Sequence, residues 1–204
     1  MTESLNPMKS LLNSYFTDKS WCIFLDRDGV INSRFSKEVI DSPEKLNFIN
    51  GAKQSIAYFS DVFNRIIIVT NQQGIGQGIF TDMDLEQIHS KMLAEIKQEG
   101  GRIDKIYFCP AVKEQNSFYR KPLPGMALKA KKDFPEIDFR RSIMVGDSLS
   151  DMRFGKSVKM ITVFIGTDRK VVSDNHTLID YTFKSLFDFK VFHEKHTIDS
   201  QNSR

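Results

Sequence analysis

The chain has 204 residues, of which 40% are hydrophobic and 27% are charged, and its formal net charge is +3. This balance is ordinary for a globular protein, and the length suits one domain with one sizeable core. No apolar run approaches the roughly 18 residues of a membrane span. The first residues also lack the basic and apolar stretches of a secretory signal. We therefore expect a cytoplasmic monomer that makes no membrane contact.

The positive charge does not favour a nucleic-acid partner. One local basic cluster is present, and it is more simply interpreted as a solvated helix face with its following turn than as a nucleic-acid surface. Its members are Lys129, Lys131, Lys132, Arg140 and Arg141. The two cysteines, Cys22 and Cys109, lie in apolar runs and are expected to be buried reduced thiols.

Five short apolar runs recur along the chain, at residues 22–25, 66–69, 106–109, 143–145 and 160–165. Their hydrophobicity is continuous rather than alternating, which is typical of strands covered on both faces of a parallel sheet. Segments with helical periodicity lie between them. The alternation of strand and helix predicts a doubly wound α/β fold of the Rossmann type with a mostly parallel sheet.

The helical segments carry recognisable boundaries. The second predicted helix begins at Thr81 with Asp84 three residues on, close to a capping box, and ends near residues 100–101. Pro124 occupies the first turn of the next helix. We divide the chain into an N-terminal extension (1–18), one domain (19–192) and a C-terminal tail (193–204). The long segment 33–50 after the first strand is a candidate functional loop.

Polar side chains follow the predicted strands at the edge where ligands bind in open α/β sheets. The first strand leads into Asp26 and Asp28, the second into Thr70, and the fourth into Asp147. Lys121 follows the third strand after a short segment. A carboxylate can attack phosphorus, a divalent cation can offset the charge repulsion, and a lysine and a hydroxyl can bind the phosphoryl oxygens. A second carboxylate can transfer protons. The five residues fit phosphoryl transfer.

These motifs resemble those of the haloacid dehalogenase superfamily of phosphatases, in the same order. The strings FLDRDGVIN, SPEKLNFINGA, VTNQQGIGQG, RKPLPGM and MVGDSLSDM are similar to those of capless heptose 1,7-bisphosphate phosphatases and histidinol-phosphate phosphatases. The similarity runs from about residue 21 to 165. The resemblance implies a fold without a large cap domain, a Mg²⁺ cofactor and a small phosphorylated metabolite as substrate.

The resemblance also implies roles for single residues. Asp26 would be the nucleophile and a metal ligand. Asp28 would be the general acid and base, and its main-chain carbonyl would bind the metal. Asp147 would complete the protein ligands of the metal, and Asp151 would contact these ligands without binding the metal itself.

Other residues would bind the substrate. Thr70 and Lys121 would hold the phosphoryl group, and the rigid fork of Arg120 suits a second phosphate or a pair of sugar hydroxyls. The remaining residues expected to face the substrate are Asn32, Arg34, Asn71 and Gln72.

One departure from the resemblance concerns zinc. Many relatives hold a structural zinc ion with three cysteines and a histidine before the RKP motif, whereas only Cys109 is present here. One thiolate cannot close a tetrahedral site, so we expect no zinc. Heptose 1,7-bisphosphate, with removal of the 7-phosphate, is the first substrate hypothesis, and histidinol phosphate is the second. A polynucleotide 3′-phosphatase and a non-catalytic phosphate-binding module are weaker alternatives.

Overall fold

The structure is a computed structural model that describes residues 19–33 and 39–202, with side chains described through residue 196. All five predicted strands are present, and a sixth follows them. The strands are β1 (Cys22–Leu25), β2 (Arg65–Asn71), β3 (Lys105–Cys109), β4 (Ser142–Gly146), β5 (Ile161–Ile165) and β6 (Tyr181–Phe183).

The six strands form one parallel sheet in the order β3-β2-β1-β4-β5-β6. The chain therefore moves outward from β1 in one direction and then returns to fill the other side, which creates a switch point between β1 and β4. Leu25 pairs with Ile68 of β2 and with Val145 of β4. The last residues of these three strands consequently end at one edge, where ligands bind in folds of this class.

Both faces of the sheet are covered, as the continuous apolar runs predicted. On β1, Ile23 and Leu25 pack into one hydrophobic cluster, whereas Cys22 and Phe24 pack into the cluster on the opposite face. Because side chains alternate along a strand, this division requires a helical layer on each side. The doubly wound α/β fold is confirmed, and no large cap domain is present among the described residues.

The helices follow the predicted order, and each lies between or after the strands. They are α1 (Ala52–Val62), α2 (Gln73–Gly76), α3 (Asp82–Gln98), α4 (Gly125–Asp133), α5 (Leu149–Ser157), α6 (Arg169–Asp174) and α7 (Leu186–Asn202). The capping box at the start of α3 is confirmed, because the Thr81 and Asp84 side chains each accept from the other residue's backbone N–H. Among the described residues, no helix is both long and apolar enough to cross a membrane.

The final helix crosses the boundary that the sequence placed at residue 193. His193, the first residue of the predicted C-terminal tail, is instead fully buried. It packs against the rings of Phe59, Phe63 and Phe189, and its Nδ1 lies 3.0 Å from the Tyr58 hydroxyl. The interpretation was wrong because three of the aromatic partners, Tyr58 and Phe59 on α1 and Phe63 just after it, lie more than 100 positions earlier in the chain.

The segment after β1 folds back onto the domain. Ser33 donates its backbone N–H to Asn47, and Ile49 donates to Ile31, so residues 47–49 pair with residues 31–33. The side chains of Ile40 and Leu46 are buried in the core. Arg34 and the 1–18 extension lie outside the described residues. Cys22 and Cys109 are buried free thiols, as predicted.

Candidate active site

A small polar cavity lies at the carboxyl edge of β1, β2 and β4. Its volume is about 180 Å³. The lining residues come from four separate segments of the chain: Asp26, Asp28, Thr70, Asn71, Gln73, Arg120, Lys121, Ser148 and Ser150. The structure therefore brings together carboxylates, hydroxyls and two cations that are up to 124 positions apart in sequence. This composition suits an anionic group the size of a phosphoryl group.

Lys121 is the central cation of the site. Its ammonium group lies 2.9 Å from Oδ1 of Asp26 and 2.5 Å from Oδ1 of Asp151, and it donates to the Val69 carbonyl at 2.8 Å. The lysine side chain is 1% exposed and that of Asp151 is 0% exposed. A charge can remain in such a place only if it is paired and hydrogen-bonded. Lys121 is thus locked between two carboxylates.

The ionisation of this group is set by burial and by crowding of like charges. Burial, followed by repulsion from Asp151, raises the pKa of Asp26, and the attraction of Lys121 does not cancel these effects. Burial alone would lower the pKa of Lys121, but Asp151 and Asp26 outweigh it, so that pKa is raised. The lysine stays protonated, and negative charge is concentrated around Asp26.

The same carboxylates fit a hard divalent cation. Oxygen atoms of Asp26, Asp147 and Asp151 all lie within 4.8 Å of one another. Carboxylate oxygens are the ligands that Mg²⁺ prefers, and a cation among them would relieve the repulsion that raises the pKa of Asp26. Gly29 leaves the space for Asp147, because a Cβ atom there would lie 2.0 Å from Oδ2 of Asp147. Its φ of +89° also favours glycine.

Asp28 lies two residues from Asp26 but in a different environment. Its Oδ1 accepts from Arg27 and, at 2.8 Å, from Asn32, while Oδ2 accepts from Arg27 and, at 2.9 Å, from Gln72. Burial alone would raise the pKa of Asp28, but the Arg27 charge and these hydrogen bonds outweigh it. The pKa is therefore lowered.

Asn32 and Gln72 were expected to bind substrate, and the structure places them differently. Asn32 is fully buried, and its Nδ2 donates to Asp28. The Gln72 amide donates to Asp28 and, at 2.8 Å, to Oγ1 of Thr70, while its carbonyl accepts from Arg27. Neither side chain lines the cavity. Both side-chain amides instead form hydrogen bonds with groups around the cavity. These partners could not be predicted from the sequence positions.

Asn71 and Arg120 do line the cavity. Asn71 also fastens the lysine segment to the end of β2, because its side-chain amide donates to the Lys121 carbonyl at 3.1 Å and accepts from the Lys121 N–H at 3.0 Å. The Arg120 guanidinium donates to the Ala111 carbonyl and to the Gln73 side chain, at 2.8 and 2.9 Å. These contacts orient one side of the guanidinium group.

Several residues of the site were missed at the sequence level. Arg27 is 1% exposed, and its guanidinium lies between Asp28, Gln72 and His89. Ser148 and Ser150 line the cavity with hydroxyls 2.7 Å apart. The serines stand inside the GDSLSD string, and His89 is one residue after Ile88 on the apolar face of α3. These sequence positions were the features from which the three residues could have been proposed as part of the site.

The segment expected to lack zinc begins at Cys109, the last residue of β3. The Cys109 thiol lies 3.7 Å from the Ser117 hydroxyl. Within the described part of the chain, the Asp26, Asp147 and Asp151 group is the only cluster of three or more potential metal-ligating side chains. The absence of zinc remains a prediction.

Comparison with known proteins identifies the family. The profile of the family described as polynucleotide kinase 3 phosphatase matches residues 22–192. The chain belongs to this family of haloacid dehalogenase-like phosphatases. The match covers all six strands and the first two turns of α7.

Similar proteins of this family carry more specific names. The D-glycero-α-D-manno-heptose-1,7-bisphosphate 7-phosphatase of Mycobacterium bovis is 32% identical over 84% of this chain and 90% of its own length. The enzyme of the same name from Campylobacter jejuni is 36% identical over 76% of this chain and 88% of its own length. The β-anomer enzyme of Pasteurella multocida is 33% identical over 81% and 92%.

A solved structure gives the same result for the fold. The D,D-heptose 1,7-bisphosphate phosphatase from B. bronchiseptica, complexed with magnesium and phosphate, superposes with a TM-score of 0.78 at 28% identity. The similarity covers 86% of this chain and 98% of that structure. The capless phosphatase architecture is therefore shared over nearly the whole of the relative.

Proposed function

We propose that the protein is a Mg²⁺-dependent phosphomonoester hydrolase that removes the 7-phosphate of a heptose 1,7-bisphosphate. The chemistry is supported by one observation above all, the buried Asp26 carboxylate held beside Lys121 and two further carboxylates. The substrate is supported by the relatives that are 32–36% identical and named for this reaction.

In the first half of the reaction, an oxygen of Asp26 attacks the phosphorus atom and the bond to the sugar oxygen breaks. The phosphoryl group moves to the carboxylate as an aspartyl-phosphate, and the leaving alkoxide takes a proton from Asp28. Asp28 must be protonated for this step. Its lowered pKa favours the ionised form at rest, and a phosphate dianion placed beside it would raise that pKa by repulsion.

In the second half, Asp28 is again a carboxylate and takes a proton from water, which attacks the phosphorus atom. The bond between phosphorus and the Asp26 oxygen breaks, which regenerates the Asp26 carboxylate and releases inorganic phosphate. The cradle of donors around Asp28 favours the ionised form that this step needs. Lys121 and the Thr70 hydroxyl, which both line the cavity, would bind phosphoryl oxygens as negative charge moves onto them. Mg²⁺, held by Asp26, Asp147 and the main-chain carbonyl of Asp28 with Asp151 behind them, would supply charge neutralisation and orientation of the phosphate.

The remaining part of the substrate would extend past Arg120. This guanidinium lines the cavity and is already oriented by Ala111 and Gln73. We infer that its free edge binds a sugar hydroxyl pair or the second phosphate. Asn71 acts mainly by fixing Lys121. Arg34 is kept as a candidate substrate residue from the sequence alone.

We further infer that the protein acts as a monomer in the cytoplasm, in carbohydrate metabolism, and without nucleic acid. Four of the five basic cluster residues lie toward the amino edge of the sheet, since Lys131 and Lys132 end α4 and Arg140 and Arg141 precede β4. The cavity lies at the carboxyl edge. A nucleic acid whose 3′-phosphate occupied the cavity would therefore not contact this basic cluster.

The test is phosphate release with and without Mg²⁺ from both anomers of heptose 1,7-bisphosphate, histidinol phosphate and a 3′-phosphorylated oligonucleotide. We expect strong Mg²⁺-dependent preference for a bisphosphate, with heptose 1-phosphate as the product by ³¹P NMR. Both anomers belong in the assay because similar relatives are named for each. Preference for either of the other two compounds would overturn the substrate assignment, and no release from any of them would overturn the hydrolase itself.

A further inference from the structure

His89 lies outside the cavity, but it is joined to the cavity through one side chain. It stands on α3, 62 positions after Arg27, and its Nε2 lies 3.2 Å from Nη1 of Arg27. An arginine can only donate hydrogen bonds, so Nε2 must be the acceptor and the imidazole must be neutral. Burial, reinforced by the Arg27 charge, lowers the pKa of His89 to about 3, in agreement with a neutral ring.

The Arg27 guanidinium is the largest fully buried side chain described, and each of its edges has a partner. Nε and Nη2 donate to the Asp28 carboxylate at 3.0–3.1 Å, and Nη2 also donates to Gln72 at 3.1 Å. Nη1 donates to His89. A buried donor without an acceptor is costly, so the position of His89 constrains the rotation of the whole guanidinium.

Asp28 depends on this orientation. Both carboxylate oxygens of Asp28 accept from the planar fork of Arg27. The geometry of this fork fixes the plane of the carboxylate as well as its distance from the guanidinium. Asn32 and Gln72 donate to the remaining lone pairs. A shift of the guanidinium would therefore turn the carboxylate relative to the cavity that it lines.

We propose that His89 is a positioning residue for Asp28, acting through Arg27. This inference rests on the proposed function, because it assumes that Asp28 transfers protons. His89 touches neither the cavity nor the three carboxylates that fit a metal. It should therefore affect the chemical step more than substrate binding.

The test compares His89→Leu, which removes the acceptor, with His89→Gln, whose side-chain carbonyl can replace it. Ile88→Ala is the matched control, since Ile88 is a fully buried neighbour on the same helix that packs into the core. The measurements are kcat and KM for heptose 1,7-bisphosphate, the thermal midpoint of each variant, and crystal structures of the two His89 variants.

We expect His89→Leu to lower kcat by about tenfold or more with KM nearly unchanged, because small misplacements of a reacting group are costly. His89→Gln should recover most of this loss, and Ile88→Ala should lose stability without losing kcat. In the crystal, Asp28 should turn in the Leu variant and keep its position in the Gln variant.

Two results would overturn the proposal. The first is a wild-type kcat in His89→Leu. The second is a glutamine variant that fails to recover activity although Asp28 keeps its wild-type position in both variants. An inactive wild-type enzyme would instead contradict the proposed function. In that case the crystal structures still decide the positioning role, since an unmoved Asp28 in the leucine variant would refute it.

Discussion

Asp26 and Asp28 are two residues apart, yet their surroundings shift their pKa values in opposite directions. Asp26 is buried beside Asp151 and Asp147, and its pKa is raised. Asp28 is surrounded by donors from Arg27, Asn32 and Gln72, and its pKa is lowered. One carboxylate thus belongs to a cluster dominated by negative charge, and the other belongs to a cluster of hydrogen-bond donors.

The comparison teaches that the contrast comes from two different sets of partners: those of Asp26 come from distant parts of the chain, whereas Asp28 is held mainly by residues close to it in sequence. Lys121, Asp147 and Asp151 reach Asp26 from the segment after β3, the end of β4 and α5. Asp28 is held by the adjacent Arg27, by Asn32 and by Gln72 just after β2. A crowded carboxylate cluster can receive a cation and a phosphoryl group. A carboxylate held by donors is suited to accept a proton in a fixed direction.

The largest effect is expected from removing the charge of Asp26. Asp26→Asn should reduce phosphate release by at least about 10³-fold, because an amide is a poor nucleophile. The fold should be retained, since relief of carboxylate repulsion offsets the weakened pair with Lys121. Phosphate release and thermal unfolding are measured together. Asp61→Asn, at the exposed end of α1, is the control and should keep full activity. Substantial turnover by Asp26→Asn would contradict the assignment of Asp26 as the nucleophile.

Removal of the divalent cation should act on the Asp26 cluster alone. Treatment with EDTA should abolish turnover, and added Mg²⁺ should restore it, because the three carboxylates would otherwise repel the phosphate dianion. Elemental analysis of the purified protein should find no stoichiometric zinc. Turnover that persists after EDTA treatment and dialysis would contradict the metal assignment, and one zinc ion per chain would contradict the interpretation of the Cys109 segment.

Breaking the central ion pair should affect both rate and stability. Lys121→Ala leaves Asp26 and Asp151 buried without their cation, so we expect a loss of about 10²–10³ in rate and about 3 kcal/mol in the free energy of unfolding. Lys156→Ala is the matched control, because Lys156 is a half-buried lysine paired with Asp180 outside the cavity lining. The control should keep its kcat. Equal rates for the two variants would remove Lys121 from the site.

An effect on stability alone, with no change in rate, is expected from a buried ionisable group outside both clusters. Burial lowers the pKa of His193 to about 4 from 6.5, so the native ring is neutral while the unfolded chain takes up a proton below about pH 6.5. Its contribution to stability is present above pH 6.5 and is lost as the pH falls toward 4. In urea titrations from pH 7 to 4, wild type should lose up to about 3 kcal/mol more than His193→Gln. Parallel pH curves would show that His193 does not titrate in this way.

Much of the fold was predictable from the sequence because its signals are local. Continuous apolar runs predicted β1 to β5, and the Thr81 capping box predicted the start of α3. Asp26, Thr70 and Asp147 were predictable candidates because strand ends of a parallel sheet meet at one edge. The partners within the site were not predictable, since the roles of Asn32, Gln72 and His89 depend on which side chain each one meets after folding.

The most direct test of the central claim is to trap the covalent intermediate. Enzyme quenched during turnover of heptose 1,7-bisphosphate is reduced with borohydride, which converts an aspartyl-phosphate to homoserine, and is then digested with trypsin. Cleavage after Lys19, Arg27 and Arg34 places Asp26 and Asp28 in separate peptides, 20–27 and 28–34. We predict homoserine at position 26. Homoserine at position 28 or 147 would contradict the account.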